Sequence, residues 1–245
     1  MARNPLHQTS FKTRWWSLLI NPAYIARRGL EQSISTYVRK LNLSGSGTWL
    51  DVGCGSKPYE SLFNVESYIG MDVEESGHPA EAKRYDILYD GTTFPIESSS
   101  MDGVICTQVL EHARLPETLI SEIARVLKPG GLLILTAPFF WPEHEQPHDF
   151  TRFSSFGLCN ILESRGFTIV DYRKTSGSIE AIAQAFSAYA INNLSLRFPG
   201  WNRLITLLLC APIQVVGMFL QRILPDKGDL FLDSAILASK PKERA

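Results

Sequence analysis

The chain has 245 residues, of which 44% are hydrophobic and 20% charged, and its formal net charge is −1. This length allows one large domain with a substantial core, and the balanced charge excludes the strongly basic field typical of nucleic-acid-binding proteins. The four cysteines are scattered and form no C-x-x-C pair, which predicts reduced thiols in a cytoplasmic protein.

Residues 1–43 are predicted to form an N-terminal arm and a helix. The arm, residues 1–20, is basic and aromatic, and its apolar run is too short for the core of a signal peptide. Asn21 followed by Pro22 is typical of an N-cap and a first helical position, so the sequence predicts a helix from there to about Leu41.

Between residues 44 and 175, short apolar runs alternate with helical segments, and the runs are apolar throughout, as in parallel strands covered on both faces. This alternation predicts an open, doubly wound α/β sheet. The turn 128–131 is expected to separate a helix from the next strand. Predicted strands are 48–52, 67–72, 84–89, 102–107, 132–137 and 167–174, and predicted helices are 57–63, 116–128 and 154–165.

The alternation stops after residue 175, and residues 176–229 are predicted to form an apolar helical insertion. Apolar residues recur at helical spacing over 179–190, which indicates an amphipathic helix. Residues 204–224 are apolar almost all round. Residues 230–245 are predicted to supply the last strand, over 230–239, and a charged tail.

The segment 204–224 is close to the ~20 residues that cross a bilayer. However, Pro212 costs a backbone hydrogen bond, Gln214 is poorly solvated by lipid, and the strand at 230–239 must return to the same sheet as the first strand. We therefore expect a bent helical pair or cap instead of a membrane crossing. The expected membrane contact is peripheral, through residues 179–224, on the inner face of the membrane. The alternative is that residues 204–224 only cap the core.

The most informative segment is WLDVGCGSK, residues 49–57. An apolar run ends in Asp51, and the tight turn Gly53-Cys54-Gly55 follows at once. Glycine permits backbone conformations closed to other residues and lets a ligand approach the main chain. Asp72 ends the next apolar run. A strand, a glycine turn and an acid at the next strand end form a nucleoside-binding layout, in which the acid accepts hydrogen bonds from ribose hydroxyls.

Five segments together resemble the class I S-adenosylmethionine-dependent methyltransferases, in particular the type 11 group. The resemblance covers about residues 45–175 and implies S-adenosylmethionine as the cofactor. It also implies a Rossmann-like, seven-stranded, mostly parallel sheet with 230–239 as the final antiparallel strand. The segments are WLDVGCGSKPY, YIGMD, DGTTFPIESSSMDGV, QVLEH and RVLKPGGLLILTAP.

The resemblance assigns roles to the residues of the glycine turn. Gly53 and Gly55 let the loop pass close to the methionine part of the cofactor, and Asp51 organises that loop. Lys57 stands where the fuller GxGxG pattern of the family has its third glycine. This position varies within the group, so the departure does not change the predicted cofactor.

Four further residues receive cofactor roles from the same resemblance. Asp72 holds the ribose hydroxyls. Asp90 accepts a hydrogen bond from the adenine amino group, with Asp86 as the alternative for that role. Gln108, at the end of the fourth predicted strand, lines the pocket near the methionine end.

The segment EHEQPHDFTRF follows the fifth predicted strand. Ligands of open α/β sheets bind outside the carboxyl ends of the strands, so we expect this segment to face the methyl acceptor. Histidine suits proton removal at neutral pH, and His144 or His148 is the predicted general base. The alternative is a hydrogen-bonded loop anchor, with Arg152 and Asp149 paired nearby.

Two further features of this region are given structural roles. Glu111 and His112 are predicted to organise the start of the helix that follows the fourth strand. The string His144–His148 matches the HExxH pattern of zinc proteases, but prolines within and before it oppose the continuous helix that such a site requires. The sequence therefore predicts no metal ligand.

The sequence as a whole predicts methyl transfer from S-adenosylmethionine to a small or lipid-linked acceptor, at oxygen. The segment HEQPHDFTRFSSFGL also resembles methyltransferases associated with bacterial surface-glycan pathways. Two alternatives stay open. One is a catalytically silent, methyltransferase-like binding or scaffold protein. The other is a nicotinamide-dependent oxidoreductase, whose GxGxxG spacing would need glycine where Pro58 stands.

Overall fold

The computed structural model describes residues 13–74, 83–196 and 198–242. They form two compact units. The first contains the described part of residues 1–32 together with 140–142 and 174–233, and the second contains 33–139, 143–173 and the described part of 234–245. The predicted arm and charged tail lie partly outside the described residues.

A seven-stranded sheet is the framework of the second unit, and its strand order is β3-β2-β1-β4-β5-β7-β6. The first five strands pair in parallel. Reciprocal backbone hydrogen bonds join Gly130 and Gly131, near the start of β5, to Lys240, just after β7, so these two strands run antiparallel. The predicted fold class is confirmed. The strands are β1 Thr48–Val52, β2 Ser67–Val73, β3 Ile87–Tyr89, β4 Met101–Thr107, β5 Leu127–Pro138, β6 Thr168–Lys174 and β7 Asp233–Ser239.

Helices α1 (Tyr24–Leu41), α2 (Pro116–Val126) and α3 (Ser155–Ser164) are interspersed with these strands. Helix α2 buries one apolar face, and those side chains share a core cluster with the apolar side chains of β4 and β5. Full burial of each such side chain contributes about 1.5–3 kcal/mol, so this packing stabilises the central strands.

Two predicted elements near the sheet are wrong. The helix predicted over 57–63 is only a 3₁₀ turn, Glu60–Leu62, because Lys57 has a φ of 53°, which an α-helix cannot continue. The helix predicted over 116–128 ends at Val126, and β5 begins at Leu127. Residues 128–131 therefore belong to the strand, where Gly130 pairs with Lys240, and do not form a loop.

The first unit contains helices α4 (Ser178–Leu194), α5 (Pro199–Ile205) and α6 (Ala211–Ile223), with a π-helical turn, Thr206–Cys210, between the last two. The predicted bent helical pair or cap corresponds to α5 and α6, joined directly by the π-helical turn, and whether they cap the sheet stays a prediction. Pro212 follows the π-helical turn almost directly, and the helix continues through it. By length and composition the helix 200–223 could cross a membrane, and 33% of its apolar window is buried within the protein.

Two buried glutamines, Gln184 of α4 and Gln214 of α6, bind the first turn of α1. The side-chain oxygen of Gln214 accepts a hydrogen bond from the N–H of Ile25 at 3.2 Å, and that of Gln184 accepts one from Ala26 at 3.3 Å. Their amide groups donate to backbone carbonyls that precede the helix. Gln214, the polar residue in the middle of the apolar segment, is therefore buried against protein and not exposed to lipid. Together the two glutamines satisfy two N–H groups that the start of a helix leaves without a partner in the helix.

Candidate functional site

The glycine turn after β1 is held against the ends of two other strands. The N–H groups of Gly53 and Cys54 donate to the carbonyl of Met71 in β2, at 2.8 and 3.1 Å. Both Gly53 and Gly55 have left-handed backbones, with φ of 66° and 48°. A Cβ atom on Gly53 would lie 2.3 Å from Val109, just after β4, whereas one on Gly55 would meet nothing within 4 Å. Of these two positions, only position 53 therefore requires glycine for packing as well as for backbone conformation.

Asp72 joins the end of β2 to this turn. Its Oδ2 accepts a hydrogen bond from the N–H of Gly55 at 2.9 Å, and its Oδ1 accepts one from Val73 at 2.8 Å and lies 3.3 Å from Lys83 Nζ. An ionised carboxylate offers about four acceptor positions, so further bonds from ribose hydroxyls are compatible with these contacts. The structure thus places the glycine turn and Asp72 in contact, as the nucleoside-binding layout of the sequence predicted.

Asp51 lies inside the sheet and not at its surface. Its carboxylate is buried and accepts a hydrogen bond from the Tyr68 hydroxyl of β2 at 2.8 Å. Burial raises the pKa of Asp51 to about 7, because a charge in this environment lacks water. These contacts join β1 to β2, and the role of Asp51 in organising the cofactor loop stays a prediction.

Lys57 fills the position of the third glycine with a buried side chain. Its Nζ donates to Asp86, and the same carboxylate oxygen accepts the N–H of Gly70 at 2.7 Å. A Cβ on Gly70 would lie 2.3 Å from Lys57 Cε. Burial by itself would raise the pKa of Asp86, but the hydrogen bonds from Lys57 and Gly70 outweigh it and lower that pKa. Asp86 thus holds Lys57 beside β2, and its alternative role as the adenine acceptor stays a prediction.

Asp90 and Gln108 each lie just beyond a strand of the sheet. Asp90 is exposed, and its Oδ1 accepts hydrogen bonds from the N–H of Thr93 and from the hydroxyl and N–H of Thr92, which lower the pKa of Asp90. Gln108, with a φ of 55°, donates from its backbone and its side-chain amide to Thr136 of β5. These bonds all lie within the protein. The roles of Asp90 toward the adenine and of Gln108 near the methionine end therefore remain predictions.

A second polar cluster combines the 3₁₀ turn Leu110–His112 with the segment after β5. The Nδ1 atom of His112 lies 2.6 Å from the carbonyl oxygen of His148. Its Nε2 atom lies 3.8 Å from Glu111 Oε1 and 3.9 Å from Glu145 Oε2. The rings of His112 and His144 meet edge to face, with centroids 4.8 Å apart. Glu111 and His112 therefore contact the predicted acceptor segment directly, which the sequence reasoning missed.

His144 is oriented by a neighbouring ion pair. Its Nδ1 lies 3.3 Å from Asp149 Oδ2, and its backbone N–H donates to that oxygen at 2.9 Å. Arg152 donates to both oxygens of Asp149. Burial alone would raise the pKa of Asp149, but these donors, Arg152 first, lower it to about 2. Burial and the nearby His112 lower the pKa of His144, so its imidazole is neutral at pH 7.

The string from 144 to 148 forms no helix, in agreement with the prediction. Only one of its two histidines enters the cluster with its ring. His144 contributes its imidazole, whereas His148 contributes its backbone carbonyl. One ligand atom from each of Glu111, His112 and His144 lies within 4.8 Å of the other two.

Comparison with known proteins gives a family match for the part of the chain that carries the glycine turn, Asp72 and Gln108. Residues 50–135 match the model of a methyltransferase domain family. The rat (Rattus norvegicus) thiol S-methyltransferase TMT1B is 31% identical over 117 residues, covering 42% of this chain and 46% of that protein. The ubiquinone biosynthesis O-methyltransferase of Vibrio atlanticus is 27% identical over 138 residues, covering 49% and 54%. The chain thus spans about half the length of the curated relatives that it matches.

A solved structure shows the same fold over most of the chain. Phosphoethanolamine N-methyltransferase 2 of Haemonchus contortus, in complex with S-adenosyl-L-methionine, superposes with a TM-score of 0.57 at 16% identity. The similarity covers 86% of this chain and 53% of that one. At this identity the likeness establishes the fold, and the acceptors named for these three proteins differ in the methylated atom.

Proposed function

We propose that this chain, which carries a class I S-adenosylmethionine-dependent methyltransferase domain, methylates a small or lipid-linked acceptor at oxygen. The observation that carries the proposal is the joining of the glycine turn to Asp72 at the carboxyl ends of β1 and β2. In open α/β sheets this is where ligands bind. Both features are needed for a nucleoside cofactor, since the turn admits the ligand to the main chain and the acid accepts ribose hydroxyls.

The cofactor is proposed to extend from Asp90 to Gln108. Asp72 would bind the ribose, Asp90 the adenine amino group, and the turn containing Gly53 and Gly55 the methionine portion. S-adenosylmethionine supplies the electrophilic methyl group on a sulfonium. The domain family and the solved relative bound to S-adenosyl-L-methionine support this assignment.

Methyl transfer is an in-line displacement, so much of the rate comes from positioning the acceptor. The acceptor oxygen forms a bond to the methyl carbon while the carbon–sulfur bond breaks and S-adenosylhomocysteine leaves. A hydroxyl acceptor must also lose its proton, and His144 or His148 is the proposed base. The neutral, Asp149-oriented ring supports His144, and the ring of His148, whose carbonyl bonds His112, is the alternative.

A lipid-linked acceptor is supported by the surface of the first unit. Trp201, Leu208 and Phe219 are 45%, 68% and 59% exposed. From residue 181 to 225 the sequence contains three arginines and neither aspartate nor glutamate. Apolar and aromatic side chains combined with positive charge fit the interface of an anionic bilayer. We propose that the protein is cytoplasmic and that residues 179–224 contact the inner face of the membrane peripherally.

The decisive experiment is a labelled-methyl transfer assay against fractionated cell lipids, glycans and small metabolites. Transfer that requires Asp72 and gives an alkali-stable ether on a lipid or glycan fraction is expected. Transfer to a thiol would instead match the named activity of the rat relative. Calorimetry with S-adenosylhomocysteine and NAD separates the alternatives: cofactor binding without transfer to any fraction indicates a scaffold, and NAD binding indicates an oxidoreductase.

A further inference from the structure

We propose that Glu111, His112 and His144 bind one divalent transition-metal ion. Each offers a ligand atom within 4.8 Å of the other two. The three side chains come from two segments, the turn after β4 and the loop after β5. The proline argument against a zinc-protease helix therefore does not apply to this set, and the proposal departs from the sequence-based expectation of no metal ligand.

The hydrogen bonds of both imidazoles support the assignment. A histidine that binds a metal usually donates its other ring N–H to a carboxylate or a backbone carbonyl. Nδ1 of His112 lies 2.6 Å from the carbonyl oxygen of His148, which can only accept, so this nitrogen carries the proton. Nδ1 of His144 lies 3.3 Å from Asp149 Oδ2 in the same kind of arrangement. With the proton on Nδ1, Nε2 is the ring nitrogen whose lone pair would bind a metal ion.

The charges around the cluster also suit a cation. Nε2 of His112 lies between two carboxylates, at 3.8 Å from Glu111 and 3.9 Å from Glu145, too far for hydrogen bonds. A metal ion bound by the imidazole and by a carboxylate would lie between them and account for such a distance. Arg152 lies 3.5 Å from Nδ1 of His144 and is paired with Asp149, and Glu111 also contributes to raising the pKa of Arg152.

The ligand types indicate the class of ion. Imidazole nitrogen suits zinc, nickel, copper and iron, whereas magnesium and calcium prefer an all-oxygen set. Two imidazoles with one or two carboxylates therefore favour a first-row transition ion over magnesium. The consequence for catalysis rests on the proposed function: the ion would lower the pKa of the acceptor hydroxyl, His144 would be a ligand, and His148 would take the proton.

The test is calorimetric titration of the chelator-treated full-length protein with Zn²⁺, Mn²⁺ and Mg²⁺, without cofactor or acceptor. We expect one equivalent of Zn²⁺ to bind, Mn²⁺ to bind more weakly, and Mg²⁺ to bind most weakly of the three. Glu111→Gln and His144→Ala should each weaken binding more than about tenfold, and Asp149→Asn about 10–100-fold as an outer-shell change. His148→Ala, which keeps the backbone carbonyl, is the matched control and should bind as the wild type does.

Absorption of the Co²⁺-substituted protein gives a readout independent of activity, since its ligand-field bands should be lost in His144→Ala. Circular dichroism and S-adenosylhomocysteine binding show whether each variant is folded. Absence of saturable binding to the wild type, or equal binding by folded Glu111→Gln and His144→Ala proteins, would overturn the metal site. Neither result would affect the methyltransferase proposal, which depends on the cofactor and transfer assays.

Discussion

The buried carboxyl group of Asp51 should make the stability of the fold depend on pH. Its pKa is about 7 in the folded protein and about 3.9 in an unfolded chain. The folded state therefore binds more protons between these values, and stability falls as pH rises from 4 to 7. At about 1.4 kcal/mol per pKa unit, the loss reaches up to about 4 kcal/mol. Urea unfolding at several pH values should show Asp51→Asn gaining on the wild type over this range.

Asp102 supplies a control of opposite sign. It accepts hydrogen bonds from the N–H of Thr48 at 2.9 Å and from Lys128 Nζ at 2.8 Å, which outweigh burial and lower the pKa of Asp102. Its contribution is present above the unfolded pKa and is lost as pH falls through the folded value. Asp102→Asn should therefore lose stability relative to the wild type as pH rises. The same pH trend in both variants would contradict the assignment for Asp51.

Asp72→Ala tests the proposed ribose contact. Hydrogen bonds to a charged group contribute about 1.5–3 kcal/mol each, so affinity for S-adenosylhomocysteine should fall at least about tenfold. Because Asp72 also accepts the N–H of Gly55, Asp72→Asn should be measured beside it. Asparagine retains one acceptor oxygen and should lose less affinity. An alanine variant that is folded and binds as the wild type does would exclude Asp72 from the ribose site.

At the scale of elements, the two glycines of the turn after β1 should respond differently to alanine. Both have positive φ, which costs a side-chain-bearing residue about 1–2 kcal/mol. Only at position 53 would the new Cβ approach Val109, at 2.3 Å, and such overpacking adds about 1–3 kcal/mol. Chemical denaturation should therefore show Gly53→Ala clearly less stable than Gly55→Ala. Equal losses would mean that the turn is not packed against Val109.

Gln214→Leu should destabilise the first unit although it makes helix α6 more apolar. The change removes the acceptor for the buried N–H of Ile25, and an unsatisfied buried group costs about 1–3 kcal/mol. Val215→Leu, at a half-exposed neighbouring position, is the control and should change stability little. If thermal unfolding shows Gln214→Leu to be as stable as the control, the hydrogen bond from Ile25 to Gln214 does not stabilise the start of α1.

The sequence predicted the elements best where one local pattern decides the structure. Uniform apolar runs located β1, β2 and β4 to within one residue at each end. The pattern failed where a distant partner is involved. Lys57, whose side chain pairs with Asp86, has a left-handed backbone where the sequence predicts a helix, and the KPGG segment extends β5 by pairing with Lys240. No spacing rule could bring His112 to His144, since they lie on different loops of the sheet.

At the scale of the whole molecule, the helical unit exposes many large apolar side chains. They extend over α4 to α6, and soluble monomers rarely expose large contiguous apolar patches. Gln214 is buried against α1 and so does not oppose contact between the outer faces of these helices and lipid. The side chains that are half or more exposed are Ile182, Tyr189, Leu196, Phe198, Leu208, Val216, Phe219 and Ile223.

The full-length protein should float with vesicles that contain anionic lipid. The double variant Leu208→Glu with Phe219→Glu should reduce flotation strongly, because it places charge on the lipid-facing side and opposes the arginines. Phe156→Glu, at an 86% exposed position of α3 in the second unit, is the matched control and should float as the wild type does. High salt and alkaline washing should release a peripherally bound protein. Resistance to alkaline extraction, with the C-terminal tail and the Asp72-containing unit protected on opposite faces, would instead establish that the helix 200–223 crosses the bilayer.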